Sequence, residues 1–336
     1  NYLSSVGLSG GPSECTLRAK SIDFRFVQDT VEVLGLEGQA YPGYTLRMFS
    51  DSAARVLKEF VFTRPVTLSG GGMFPMGDDM KLMKGRIRFD ASAGRVRYPL
   101  LGTTLDLGRT KGEVLISPQW VVVDKMMGTI WDGTFTGRIL AQIDDGDALN
   151  GSFVLQDMNL TSIGKSYDKK MEKATVHGAI EFSSKGGNMN SIQAKGEAAL
   201  VHGDLVEIPL FGFLGEALSN YIPGLGHLIN YKISRADCDF SIEKGYVRTS
   251  NFAAQGSNMS LEGGGWIRLS DLQVNSDFKL GLRGLPGFIT SPVFLLAGGL
   301  FQVRGTGPLS NVSWNFAPFS GGKAPVPPAA APARKR

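Results

Sequence analysis

The chain has 336 residues, 44 of them glycine, and 35 Lys+Arg against 31 Asp+Glu. That length admits one large domain or about two ordinary ones, and a glycine share near twice the usual ~7% without a triplet repeat excludes collagen and points to many short strands joined by turns. The cationic excess sits in the segment Ser320–Arg336, which carries Lys323, Arg334, Lys335 and Arg336 and no acid, so 35 − 4 = 31 cations balance 31 anions in the rest. Nucleic-acid recognition needs cations gathered on the fold beside aromatics, and that distribution does not supply them.

Taken in chain order, the predicted elements are mostly strands that alternate apolar and polar residues, the mark of a sheet with two unlike faces. Ile22, Phe24 and Phe26 alternate with Asp23 and Arg25. Asp51–Phe60 lacks internal Gly and Pro and reads as a helix. Ile87 and Phe89 alternate with Arg86, Arg88 and Asp90, while Trp120–Val123 is apolar on both faces. Phe135, Ile139, Ala141 and Ile143 form the next set, followed by Phe153 and Leu155, then Val176, Ile180 and Phe182. Leu210, Phe213, Leu214, Ala217, Leu218, Tyr221 and Ile222 fall at helical spacing between Pro209 and Pro223-Gly224, so Leu210–Ile222 is predicted to be an amphipathic helix laying its stripe on the sheet's apolar face. Ala236, Cys238, Phe240 and Ile242 resume the alternation. Met259, Leu261, Ile267 and Leu269 follow, then Leu272, Val274, Phe278 and Leu280.

The connections, such as Glu243-Lys244-Gly245, Asp144-Asp145-Gly146-Asp147 and Ser183–Asn190, are too short for βαβ crossovers, so the sheet is expected to be antiparallel. Residues 1–110 are expected to form the first part of an elongated β region. Residues 111–319 continue it with the helix near 210–222, and the Pro/Ala-rich 320–336 form a disordered tail. The longest apolar stretch, Pro286–Phe301, is interrupted by Thr290-Ser291-Pro292 and falls short of the ~20 residues of a membrane-spanning helix. No signal peptide is visible, and a membrane anchor is expected upstream of Asn1.

Motifs for chemistry are near misses. Gly7-Leu8-Ser9-Gly10-Gly11 has the spacing of a nucleophile elbow, whose Ser9 would make a hydrolase, but only six residues precede it and a β-rich run, not a helix, is expected after it. Gly164-Lys165-Ser166 resembles the end of a phosphate loop whose first glycine would have to be Asn159. His177, His202 and His227 are not at metal-pair spacing, and Asp144, Asp145 and Asp147 lack the closing glutamate of a calcium loop. Cys15 and Cys238 belong to no paired motif and neither show nor exclude an oxidising compartment. The tripeptides beginning at Asn150, Asn159, Asn258 and Asn311 are chance matches to the glycosylation pattern. The reading is of a protein that is not an enzyme and uses no cofactor or metal.

Over roughly Val122–Phe316 the order of segments resembles the C-terminal region of the AsmA-like proteins of diderm bacteria, related in character to envelope bridge proteins of the TamB and YhdP type. The residues that carry the likeness are VVDKMMGTIWDGTFTGRILAQI (122–143), LNGSFVLQDMNL (149–160) and the strand near Ala174–Phe182. With them come AKGEAALVHGDLVEI (194–208) leading into Pro209 and its helix, and PLSNVSWNF (308–316). At the last of these, Gly305-Thr306-Gly307-Pro308 departs slightly from the family's pattern. The resemblance implies a periplasmic, strongly bent, trough-like antiparallel sheet, held at the inner membrane by a segment outside this sequence. It further implies movement of phospholipid between inner and outer membrane and contacts with components of either, and it brings no catalytic residues.

On that reading the acyl chains of phospholipid lie along a groove lined by Ile87, Phe89, Phe135, Ile139, Phe153, Leu155, Val176, Ile180, Phe240, Ile242, Leu261, Ile267, Val274 and Phe278. Leu210, Phe213, Leu214, Ala217, Leu218 and Tyr221 close its end. Alternation alone serves equally for an apolar face sealed against a second sheet; the resemblance favours the open trough. The alternative function is a scaffold for outer-membrane protein assembly, in which exposed sheet edges pair with client strands.

Overall fold

The computed structural model describes residues 2–8, 15–42, 60–76, 82–100, 103–142, 148–167, 173–185, 191–201, 233–257, 259–282, 300–309 and 312–318. The predicted helix over 210–222, that over 51–60 apart from Phe60, and the tail over 320–336 lie outside them. Most of the described residues are in strands, every strand pair is antiparallel, and the chain divides into two compact units. Residues 1–158 with 185–187 make the first unit; 159–184 with 188–336 make the second.

The first unit contains β1 (Tyr2–Leu8), β2 (Thr16–Arg25), β3 (Thr30–Ala40), β4 (Val61–Phe62), β5 (Val66–Pro75), β6 (Lys84–Asp90), β7 (Arg95–Leu100), β8 (Thr103–Ile116), β9 (Trp120–Ile130), β10 (Gly133–Gln142) and β11 (Leu149–Asn159). Hydrogen bonds join them in the order β1, β2, β3, β5, β6, β8, β9, β10, β11. β7 pairs with the other half of β8, continuing the line of β6, and β4 lies beside β7. Strands adjacent in sequence are mostly adjacent in space because the turns are tight. Between β9 and β10, Trp131 and Asp132 both have positive φ (49° and 61°), the two-residue turn whose twist matches that of its flanking strands.

The second unit contains a short helix, α1 (Leu160–Ser166), then β12 (Thr175–Ser184), β13 (Gln193–Val201), β14 (Ile233–Glu243), β15 (Tyr246–Gly256), β16 (Met259–Arg268), β17 (Gln273–Leu282), β18 (Leu300–Pro308) and β19 (Ser313–Pro318). Each strand pairs with the next in sequence. Of the expected connection Glu243-Lys244-Gly245, Lys244 and Gly245 make a two-residue turn (φ 52° and 76°), and Glu243 pairs with Tyr246. Asn159 caps α1, its side chain accepting from the Thr161 N–H at 2.9 Å, so the Gly164-Lys165-Ser166 resemblance falls inside a capped helical turn. Among the described residues no pairing joins β1 to β11 or β12 to β19, and neither ladder closes into a barrel. No helix among them is long and apolar enough to cross a membrane.

Bulges decide which residues go inside. In β3 the register to β5 shifts between Val33 and Leu36, where Gly35 has φ 62°. An extra residue in one strand switches the side of every residue after it. Val33 and Leu36 are therefore both buried although three apart, and Leu34 is 52% exposed. Arg109 in β8 and Lys125 in β9, both with positive φ, sit at comparable shifts, and the stretch after Thr249 in β15 is another. The alternation read from sequence fails at turns. Phe26 lies in a 3-10 turn, mostly exposed, its ring stacked on Phe24 with centroids 6.2 Å apart. Leu269 and Leu272 belong to the β16–β17 turn, where Leu272 adopts φ 54° and is exposed; the bidentate Arg268–Asp271 pair (2.7 and 2.6 Å) spans that turn.

The bulge in β3 makes neighbouring leucines unequal. Leu36→Ala is expected to cost about 2–5 kcal/mol of unfolding free energy in urea, and Leu34→Ala about 0.5 or less. Equal costs would mean that the bulge does not set the register.

Candidate functional site

Directly opposed residues of an antiparallel pair project to the same side, so the pairing registers trace each face across strands. In the first unit Ile22 opposes Val33, which opposes Gly72, which opposes Gly85. One row along, Gly70 opposes Ile87, then Val114, Val123, Ile139 and Gly151 follow in turn. A third row runs Leu68, Phe89, Gly112, and Phe153 opposes Gly137 on the same side. In the second unit Val176, Leu200, Ala236, Ala254, Leu261 and Leu280 form one unbroken row. Phe182, Ala194, Ile242, Val247, Ile267 and Val274 form another.

All fourteen sequence-predicted groove residues fall on these two faces, one in each unit: Ile87, Phe89, Phe135, Ile139, Phe153 and Leu155 on the first, and Val176, Ile180, Phe240, Ile242, Leu261, Ile267, Val274 and Phe278 on the second. They are not equally covered. Phe135, Leu261, Val274 and Phe278 are buried, and the other ten are half-buried. Burial in the first unit centres on β2, β3 and β5, around Leu17, Val33, Leu36, Val66, Leu68 and Phe74, with Ile87 and Phe89 packed beside that cluster. In the second unit it takes in Leu261, Leu280 and Val303 on β16 to β18 and Ala194, Ile233, Ala236 and Ala254 on β13 to β15, while Val176, Ile180, Phe240, Ile242 and Val247 are half-buried. The predicted closing residues Leu210, Phe213, Leu214, Ala217, Leu218 and Tyr221 lie outside the described residues.

A second motif on these faces was not legible in the alternation: aromatic rings placed over glycines of the neighbouring strand. A methyl added at Gly137 would lie 2.4 Å from Phe153 Cδ1, and one at Gly128 would lie 2.7 Å from Phe135 Cε1. Gly112 stands in the same relation to Phe89, Gly196 to Phe240 and Gly305 to Trp314. Gly263 lies between Phe252 and Phe278, whose rings meet edge to face over it at 5.4 Å. The ring replaces the missing side chain, keeps the face continuous, and adds roughly 0.5–1.5 kcal/mol where two rings meet. The only signal in the sequence is glycine inside an alternating run, which by itself reads as a bulge.

Polar groups on the apolar side are few among the described residues. Ser276 is buried and donates to the Gly305 carbonyl at 3.4 Å, a long contact. Cys238 lies opposite Ala198; burial, with the Asp239 and Asp237 carboxylates adding to it, pushes its thiol above the usual range. The opposite side carries ion pairs: Arg138 with Asp124 at 3.6 Å, Arg25 with Asp23 and Glu32, and buried Asp277 accepting from Gln302 and Arg304 at 2.7 and 3.1 Å. Trp120–Val123 is apolar toward both sides as expected, with Val122 buried between Leu115 and Leu140.

Among the described residues no group of three or more His, Cys, Asp or Glu side chains is placed to hold a metal ion. His177 lies within β12; Ser9, His202, His227 and Asp144, Asp145 and Asp147 lie outside the described residues. Comparison of the chain with family models, curated proteins and solved structures gave no match in any of the three.

Two outcomes follow from this geometry. Gly137→Val should destabilise the protein by about 1–3 kcal/mol in urea, because the neighbouring ring and the Ser152 carbonyl leave no space. In a Cys15→Ser background, Cys238 should alkylate more slowly than free cysteine at pH 8, and its rate should keep rising at pH values where free cysteine has levelled off. A rate profile matching free cysteine would place the thiol in water.

Proposed function

We propose that this chain is a non-enzymatic cell-envelope protein of the AsmA-like kind that guides phospholipid acyl chains along its apolar β faces between inner and outer membrane. The observation that carries the reading is the unbroken apolar row crossing successive strands in each unit, much of it only half-buried. A closed protein core needs contiguous apolar residues, but not rows that extend into side chains left partly open to solvent.

The energetics favour a track over a pocket. Each methylene moved out of water is worth ~0.8 kcal/mol, so a lipid tail of about sixteen carbons forfeits roughly 12 kcal/mol in crossing water unaided. A continuous apolar surface retains most of that at every step. A track whose neighbouring positions offer similar contact does not trap the chain at any one of them. The glycine–aromatic pairs serve this purpose, since they fill gaps, and the phenylalanines among them add no polar atom. Periplasmic location and an inner-membrane anchor outside this sequence are part of the same proposal. The charge-paired opposite face suits contact with water.

The test is site-specific photo-cross-linking in cells of a diderm bacterium. A photoreactive residue at Ile139 or Ile180, both on the apolar faces, should capture phospholipid, and one at Arg138 or Glu181, on the opposite faces, should not. Capture of protein alone at Ile139 and Ile180 would reject the lipid reading and favour the assembly scaffold.

A further inference from the structure

We propose that the polar face of β6, β7 and β8 in the first unit is a docking surface for an anionic phospholipid bilayer, bound through its phosphate groups. The proposal rests on charge geometry and stands whether or not the apolar face carries acyl chains. Outside the tail, cations and anions balance along the chain as a whole. On this face they do not.

The topology creates the imbalance. β6 and β7 pair with successive halves of β8, Asp90 opposing Lys111 and Arg95 opposing Gly108, so the two strands form one line along a single edge of β8. Alternation sends Ile87, Phe89 and Val96 to the apolar side and leaves Arg86, Arg88, Arg95 and Arg97 on the other. Within each strand the two arginines are roughly 7 Å apart. Each pair shares one carboxylate. Arg86 Nε and Arg88 Nε approach Glu113 at 3.4 and 3.5 Å, and Arg95 and Arg97 approach Asp106 at 3.2 and 4.0 Å. Lys111 offsets Asp90, whose carboxyl is held below its usual range chiefly by hydrogen bonds from Ser92 and then by that lysine.

Each two-to-one group therefore keeps a surplus positive charge. The carboxylates are the recessed members, with side chains 10% exposed for Glu113 and 39% for Asp106, while the four arginine side chains are 51–72% exposed. At Glu113 the contacts of both arginines come through Nε. Planar guanidinium groups with exposed side chains donate paired N–H bonds to phosphate oxygens. Lys84, exposed at the start of β6, extends the line. The side chains along this line are charged, without the stacked aromatics that a single-stranded nucleic acid would use.

The experiment is flotation of the full chain with phosphatidylcholine vesicles, with and without phosphatidylglycerol. The double variant Arg88→Gln/Arg97→Gln removes the surplus yet leaves Arg86 with Glu113 and Arg95 with Asp106. Lys195→Gln/Arg235→Gln removes the same charge from the polar side of the second unit, and the cationic tail is present in every variant. The wild type should float with the anionic vesicles only and release at about 0.5 M salt, where screening is a few ångströms. Arg88→Gln/Arg97→Gln should weaken that binding about thirtyfold. Arg88→Lys/Arg97→Lys should retain most of it, and the second-unit variant should match wild type, all at unchanged thermal midpoints. Absence of binding, equal binding to neutral vesicles, equal loss in both charge-removal variants, or wild-type binding by Arg88→Gln/Arg97→Gln would each overturn the proposal.

Discussion

The architecture depends on phase. A strand presents side chains to alternate sides, and an antiparallel partner presents the directly opposed residue to the same side. Keeping one face apolar across neighbouring strands is therefore a condition on every pairing at once, because a slip of one residue in any strand would invert it. The registers meet that condition from Ile22 on β2 to Leu155 on β11, and from Val176 on β12 to Val303 on β18. Where spacing along the chain does not fit, the backbone absorbs an extra residue: Leu34-Gly35 in β3, Lys125 in β9 and the stretch after Thr249 in β15. These bulges also bend and twist their strands, so preserving the phase and curving the sheet are a single device.

Continuity along a face then becomes a packing problem between neighbouring strands. Glycine inside a strand lacks a side chain and ordinarily weakens it. Here the gap is filled from across the ladder by Phe89, Phe135, Phe153, Phe240, Phe278 and Trp314. Ring atoms of Phe89, Phe135, Phe153 and Phe240 lie within 2.9 Å of where the glycine Cβ would stand, so the ring covers the glycine. Filled gaps serve a packed core and equally a surface along which something moves. The second use links the local geometry to the lipid-guiding function proposed for the chain.

The two sides of each sheet are chemically separate for the same reason of phase. Residues next in sequence to an apolar one are forced outward, so Arg86 and Arg88 flank Ile87, and Arg95 and Arg97 flank Val96. Surface ion pairs such as theirs add little stability individually. Their distribution sets the field outside the sheet, and that field decides which partners approach.

Much of this was legible from residue order. Period-two alternation at Ile87–Phe89, Ala236–Ile242 and Val274–Leu280 determined which side chains share a side, because the pleat allows no other outcome within an uninterrupted strand. Short turns such as Lys244-Gly245 determined that neighbours pair antiparallel. Tertiary structure decided the rest. Whether Phe26, Leu269 and Leu272 belong to a strand or a turn depends on where pairing stops, and whether Leu34 or Leu36 is buried depends on a bulge placed by β5. The glycine–aromatic pairs and the arginines that share Glu113 and Asp106 join residues from different strands. Alternation is a property of one strand, whereas register is a relation between two, and a single run of residues carries only the first.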